Sequence, residues 1–511
     1  IMLSLQISLF FITIDPQTKQ YRLNDGKQIV FHGVNIVKKE HPYQPVVVGE
    51  MDYNTTVVEK DIKFMKRNGI NFVRLGVMWP GVYPEPDKIN QTYLDEMKNI
   101  VNRLGENGIY SLIDFHQDLL SSYYCGEGIP DWALPYQTTS AAEFPLPVTE
   151  ERFIRDPISH KIDRALCLQK NFASYYKSDL VGDIMECLLK PQCNPFVNST
   201  EPKVLILQDE LKKYWKTVAA FFKDNQYVVG YDIINEPFPG NMVKHPEYKR
   251  HSAEFDKRVL EPFFSSIMEV IYKEDQNHIM FFEPTTIQMT QSGFSTGGPG
   301  LAAGIPSMKQ SFAFHVYCEV INREGEPAIP PRVCKIVDRV WYENRVKSQE
   351  AMGLNAMVNE FGALPNTPEM VDVLQGELRL MQNQMSWAYW AYKPFGDITT
   401  AFNENSHENE GLFYSDMSLQ KLKMRALFYP YLQVCAGTVV DTRFDFDAEE
   451  LTVVFKQGKK GQQSEIPIGQ LWMGWGKMVT VKRGTVKVLK NQEKIFITNL
   501  NEGQETEITF K

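Results

Sequence analysis

The chain has 511 residues, 43% hydrophobic and 12% aromatic, enough for one large core beside a smaller one. Its 54 lysines and arginines against 63 aspartates and glutamates give a formal charge of −9, which argues against a nucleic-acid binder. No repeat at solenoid spacing and no low-complexity segment stands out, and no run of about 18 apolar residues predicts a transmembrane helix. The first fourteen residues carry no charge and are mostly apolar. They read either as the remnant of a signal peptide without its basic start or as an edge strand, because residues 3–9 alternate. From about residue 28 to 422, strand-like and helix-like stretches alternate. The expected strands are 29–35, 72–75, 111–115, 228–234, 279–283, 311–317, 356–360 and 386–391, with amphipathic runs such as 57–68 and 94–107 between them. Eight strands alternating with helices predict a (β/α)8 TIM barrel with insertions over residues 15–435, since a minimal barrel needs about 250 residues. The largest insertion runs from 119 to about 207. Beyond residue 435, short alternating runs at 451–455, 478–482, 485–489, 494–498 and 506–510 predict a small C-terminal β-sandwich over 436–511. It reads as a scaffold packed on the barrel, because Trp472 and Trp475 alone do not make a binding platform.

Seven cysteines are present and none shows a Cys-x-x-Cys spacing, so zinc and redox motifs are not indicated. The close pairs Cys187 with Cys193 and Cys318 with Cys334 suit local disulfides. Cys125 and Cys167, together with Cys187 and Cys193, fall in the large insertion, where bridges would brace it. Glycosylation sequons begin at Asn54, Asn90 and Asn198. These features place the protein in the secretory pathway, outside the cell or in a digestive or lysosomal compartment.

Two strand-like runs end in glutamate, at Glu236 after Asn235 and before Pro237, and at Glu360. Chemistry in such a barrel sits at the C-terminal strand ends. Taken in order, those ends supply Arg74 from strand two, His116 and Asp118 from strand three, Asn235 and Glu236 from strand four, His315 and Tyr317 from strand six, Glu360 from strand seven and Trp390 from strand eight. Any one of these has an ordinary explanation: His315 as a satisfied core histidine, Trp390 as packing. Together they place two carboxylates to flank one bond, as glycoside hydrolysis requires.

This set resembles glycoside hydrolase family 5, in the clan that carries its two glutamates on strands four and seven. The matching stretches are 71–75, 114–116, 235–237, 315–317, 359–362 and Trp390. Residues 31–35 followed by Lys38, the run Asp-Phe-His-Gln-Asp-Leu-Leu-Ser at 114–121, and residues 126–133 and 234–240 are similar to the endoglycoceramidases of that family. The resemblance implies a retaining endo-β-glycosidase that cuts between the oligosaccharide and the ceramide of a glycosphingolipid, either a ganglioside or a neutral glycolipid. It implies Glu236 as acid/base, kept protonated by partial desolvation, and Glu360 as nucleophile, kept ionised by Arg74 and hydrogen-bonded by Tyr317. Asn235 would bond the sugar 2-hydroxyl, His116 and His315 would fix hydroxyls or orient the acid, Lys38 and Asp118 would grip the ceramide-linked sugar, and Trp390 would stack on it. The two carboxyl groups are expected about 5–5.5 Å apart. The mechanism calls for no metal or cofactor, and no ligand cluster is apparent in the sequence. A lipid tail needs an apolar groove, for which residues 287–294 and 394–402 are candidates, and lifting it from a bilayer implies a detergent or an activator protein. Glucosylceramidases of the same subgroup share these motifs, and cellulases and mannanases share the catalytic set. A catalytically dead, lectin-like barrel is disfavoured by the presence of both glutamates with their supporting residues.

Overall fold

The computed structural model describes all residues except 1–9, 138–142, 201–202, 287–289, 319–321, 323–326 and 401–403. Eight parallel strands close into a barrel: β1 (His32–Ile36), β2 (Phe72–Gly76), β3 (Tyr110–Asp114), β4 (Val228–Asp232), β5 (Ile279–Phe282), β6 (Gln310–Val316), β7 (Asn355–Phe361) and β8 (Ser386–Tyr389). All but the first residue of β3 are buried, because the barrel core covers one face and helices the other. Alternation along the strands sorts the side chains. Val73, Leu75, Ile113, Met280, Phe282, Phe312 and Phe314 face the helices, whereas Phe72, Leu112, Ile279, Phe281, Ala313, Met357 and Ala388 fill the barrel. The inward rows turn polar towards the C-terminal ends: Phe72 is followed by Arg74, Leu112 by Asp114, Phe281 by Glu283, Ala313 by His315 and Ala388 by Trp390. The barrel therefore carries a dry lower layer and a charged upper one.

The insertion after β3 contains the helices Arg164–Cys167, Phe172–Tyr175 and Asp179–Leu189. Two disulfides tie it, Cys187–Cys193 as expected from spacing and Cys125–Cys167 across 42 residues. The third, Cys318–Cys334, fastens the loop after β6 to the helix Pro331–Met352. Cys435 is free and buried. No helix among the described residues is long and apolar enough to cross a membrane.

The C-terminal strands form two antiparallel sheets. One has Gly437–Asp445, Glu450–Gln457, Glu505–Phe510 and Val479–Arg483. The other holds Gln463–Pro467, Lys494–Asn499 and Val486–Lys490, and it continues through Val434–Cys435 into three strands near the start of the chain. Val434 pairs with Ile29 and Cys435 with Gln28, so residues 28–29 belong to this sheet and the chain enters the barrel only at His32. Thr13–Ile14 pairs with Tyr21–Arg22 as the outermost strand of that sheet, while residues 1–9, on which the signal-peptide reading rests, lie outside the described residues. Trp472 and Trp475 are buried, and their indole N–H groups donate to the carbonyls of Arg425 (3.0 Å) and Glu449 (2.6 Å), so both serve the core.

Candidate active site

Arg74 is the hub of the polar layer. Its position between outward Val73 and Leu75 sends the side chain into the barrel, where it is fully buried. The guanidinium donates to Asp232 (2.7 Å), Asp114 (3.0 Å), Asn35 (3.2 Å), Asn235 (3.0 Å) and Glu360 (2.5 Å), and Glu283 lies 3.6 Å away. A rigid five-donor fork suits such a crowd of acceptors better than a lysine would. Four carboxylates around one cation still leave an excess of negative charge. Burial, offset in part by Arg74, pushes Asp232 up to about 7.

Glu360 reaches this hub through a bulge. Val358 pairs with Phe314 and Glu360 with His315, so the extra residue Asn359 is accommodated between them and Glu360 comes level with His315. Tyr317 donates its hydroxyl to the other Glu360 oxygen at 2.9 Å. Burial raises the Glu360 pKa, and His315 and Arg74 only partly counter it. Glu236 has a left-handed backbone (φ 47°), which turns its side chain back over the site before Pro237. Its carboxylate meets His315 Nδ1 at 2.7 Å, and the same nitrogen lies 3.4 Å from Glu360. An oxygen of Glu236 and one of Glu360 lie within 4.8 Å of each other. The deeper desolvation falls on Glu360, whose side chain is 7% exposed against 25% for Glu236. Burial lowers the pKa of His315, but the carboxylates of Glu283 and Glu360 and the hydrogen bond to Glu236 bring it well above the usual imidazole range.

On the far side, His116 Nδ1 meets Asp114 (2.9 Å), its Nε2 lies 3.4 Å from Asp118, and its ring stacks on Trp390 at 5.1 Å. Burial lowers its pKa, yet the two aspartates raise it to about 10. Asp118 is not paired with Lys38. The adjacent Lys39 is buried and forms ion pairs with Asp397 (2.7 Å), Asp118 (2.8 Å) and Glu127 (3.4 Å), and its ammonium lies over Trp390 at 5.2 Å. Lys38 is half-buried and donates to the Phe395 carbonyl at 2.9 Å.

Two aromatic members of the candidate lipid segments face the core. Phe294 and Phe395 are buried, Phe294 against Phe264 and Phe282, while Asp397, Thr399 and Thr400 belong to the Lys39 cluster. Residues 287–289 and 401–402 of those segments lie outside the described residues. The sequence showed no ligand cluster, yet among the described residues folding brings two together: His116, Asp118 and Glu127, and Glu236, His315 and Glu360, each with donor atoms within 4.8 Å. In the first, Lys39 already neutralises the carboxylates. In the second, Arg74 faces Glu360.

Seven supporting residues had no role in the sequence reading: Asn35, Asp114, Gln117 and Asn359, which lie within its matching stretches, and Lys39, Asp232 and Glu283, which lie outside them. Gln117 and Asn235 exchange hydrogen bonds, amide to backbone carbonyl, at 2.9 and 3.2 Å. Asn359 donates to Asp232 and Glu283, both at 2.8 Å. The inward row Ile279–Phe281–Glu283 carried a signal for Glu283, which, like Glu236 and Glu360, is an acid ending an apolar strand.

A family model described as cellulase (glycosyl hydrolase family 5) matches residues 25–396. The chain is similar to proteins named endoglycoceramidase from Hydra vulgaris, 29% identical over 452 residues covering 87% of this chain and 78% of the relative, and from Cyanea nozakii, 29% identical over 438 residues covering 85% and 79%. Among solved structures it resembles endo-glycoceramidase II from Rhodococcus sp. in a ganglioside GM3 complex, with a TM-score of 0.68 at 19% identity, covering 98% of this chain and 99% of that one. The lactosyl-enzyme intermediate of the same enzyme gives 0.68 at 20% identity, covering 98% of each.

Proposed function

The chain belongs to glycosyl hydrolase family 5, and from that premise we propose that it is a retaining endo-β-glycosidase that releases oligosaccharide from the ceramide of glycosphingolipids. The observation that carries the reading is the Glu236–Glu360 pair, with carboxylate oxygens within 4.8 Å. Retaining enzymes hold their carboxyls about 5–5.5 Å apart, and inverting ones about 6.5–9.5 Å. Glu236 donates its proton to the glycosidic oxygen as Glu360 attacks the anomeric carbon. The glycosyl–enzyme bond then breaks as Glu236, now a base, takes a proton from the incoming water. Arg74 and Tyr317, both bonded to Glu360, orient the nucleophile and accept its developing change of charge. Asn235 is tied through Arg74 and Gln117 at the position from which a sugar 2-hydroxyl would be bonded. His116 and Trp390 form a flat, charged wall for the same sugar, and Asp118 acts there through Lys39. Lys38 stays a candidate sugar ligand from its half-buried position.

The substrate class rests on the similarity to the cnidarian endoglycoceramidases along most of the chain. Three disulfides favour an oxidising compartment, secreted or digestive. Two of the sequon asparagines, Asn54 and Asn198, are exposed, while the Asn90 side chain caps the helix Gln91–Glu106. A detergent or an activator protein would deliver the bilayer-bound substrate. Mass spectrometry of ganglioside and lactosylceramide digests tests the reading: free ceramide with the complete glycan is expected. Stepwise loss of outer sugars, action confined to glucosylceramide, or action confined to cellulose or mannan would each overturn it.

A further inference from the structure

Glu283 follows Ile279 and Phe281 in the inward row, just past the end of β5, and is buried. One oxygen accepts the backbone N–H of Glu236 at 3.0 Å. The other accepts Asn359 Nδ2 at 2.8 Å and lies 3.3 Å from His315 Nε2 and 3.6 Å from Arg74. It thus touches the backbone of one catalytic glutamate, the residue preceding the other, and the imidazole between them. His315 is faced by Glu236 from the end of β4, Glu283 from β5 and Glu360 from β7, with Tyr317 two residues on along its own strand.

We propose that Glu283 is a positioning residue of this site: its carboxylate fixes the Glu236 backbone and keeps His315 an imidazolium that donates from Nδ1 to Glu236 and lies against Glu360. The inference rests on the roles given above to Glu236 and Glu360. With its Nε2 side facing a carboxylate, His315 holds both ring protons and cannot act as an acceptor towards Glu236. Glu360 then ionises against two cations, Arg74 and His315, instead of one. Burial alone would raise Glu283, but His315 and Arg74 bring it down to about 2, so its charge persists through the working range.

The test is the pH dependence of kcat and KM for the full chain and its Glu283→Gln variant, on 4-nitrophenyl β-lactoside and on detergent-dispersed lactosylceramide. Glutamine keeps an acceptor for the Glu236 amide but removes the charge. His315 then loses its proton at lower pH, Glu360 keeps its own to higher pH, and the acid limb of kcat moves up by about 1–3 pH units, the usual effect of one charge at this range. KM is expected to stay within about twofold, and Glu283→Asp to restore part of the shift. A variant that is slower but whose profile superimposes on the parent would overturn the inference, since a packing role moves no limb. Should Glu283→Gln fail to fold, 15N-histidine NMR of the parent decides. An imidazolium at His315 across pH 5–8 supports the inference, and a neutral tautomer overturns it. Full activity in Glu236→Gln and Glu360→Gln would instead remove the underlying reading, and the inference with it.

Discussion

Replacing Lys39 with methionine removes an ammonium and leaves its aliphatic stem, so the change isolates charge from packing. The ammonium has carboxylates of Asp397 and Asp118 at 2.7 and 2.8 Å and Glu127 at 3.4 Å, and it is buried. Burial lowers its pKa, but Asp118, Asp397 and Glu127 raise it well above the usual lysine range. Removing one partner of such a buried set costs about 3–5 kcal/mol, because the carboxylates stay behind unpaired. Unfolding entropy near 2.1 cal/mol/K per residue is about 1 kcal/mol/K for this chain, so Tm should fall by about 3–5 °C. Lys38→Met removes one hydrogen bond of a half-buried group, about 1 kcal/mol or about 1 °C. The deficit also has a pH signature. The pKa values of Asp118 and Asp397 are lowered in the folded state despite burial, chiefly by Lys39, so their contribution is full above the unfolded carboxylate range and lost as pH falls through the folded values. Lys39→Met should therefore be most destabilised at pH 7.5 and approach the parent only towards pH 2, below the unfolded carboxylate range. Thermal melts at both pH values check this, and adding Asp118→Asn should recover part of the loss. A Lys39→Met protein that melts with the parent at pH 7.5, or a larger loss from Lys38→Met, would refute the assignment of the buried cation.

Glu236→Gln and Glu360→Gln should each nearly abolish hydrolysis while leaving glycolipid binding intact, and azide should rescue Glu360→Ala to the inverted glycosyl azide but Glu236→Ala to the retained one, as NMR of the products reports. Asp338 and Glu377 are buried, with no hydrogen-bond partner among the described residues, and burial raises Asp338 to about 7 and Glu377 well above its usual value. The folded state then binds more protons than the unfolded one between about pH 4 and 7, stability falls as pH rises across that window, and Glu377→Gln should raise Tm at pH 8 but not at pH 5. Replacing Cys125 and Cys167 by serine opens a 42-residue loop and should cost about 4 kcal/mol, while unreduced peptide maps of the parent should show the three bridges and a free Cys435.

The barrel and its two glutamates were legible because their signals are local. An apolar run of strand length fixes the alternation, and alternation sends the last inward residue to the site, as at Arg74, whereas Glu360 needs the bulge at Asn359 and Glu236 the left-handed turn before Pro237. Glu283 obeyed the same rule but lacked neighbouring motif residues to mark it. The choice between Lys38 and Lys39 was not legible, because it depends on the backbone course after β1 and on Asp397, more than 350 residues away in the chain. Pairing of Gln28–Ile29 with Val434–Cys435 is equally non-local, and residue 29 continues the apolar run that leads into β1. The burial of Phe294 and Phe395 within the lipid candidates was not legible for a related reason. Composition marks Phe294 and Phe395 as apolar, but only packing decides that they face the core.

The most direct test of the two-glutamate site is to trap its covalent intermediate. The full chain would be incubated with 2-deoxy-2-fluoro-β-lactosyl fluoride, digested with pepsin and mapped by mass spectrometry. The account predicts one fluorolactosyl adduct, on the peptide bearing Glu360, absent from Glu360→Gln. An adduct on Glu236 or Glu283, or none with an inverted product, would contradict it.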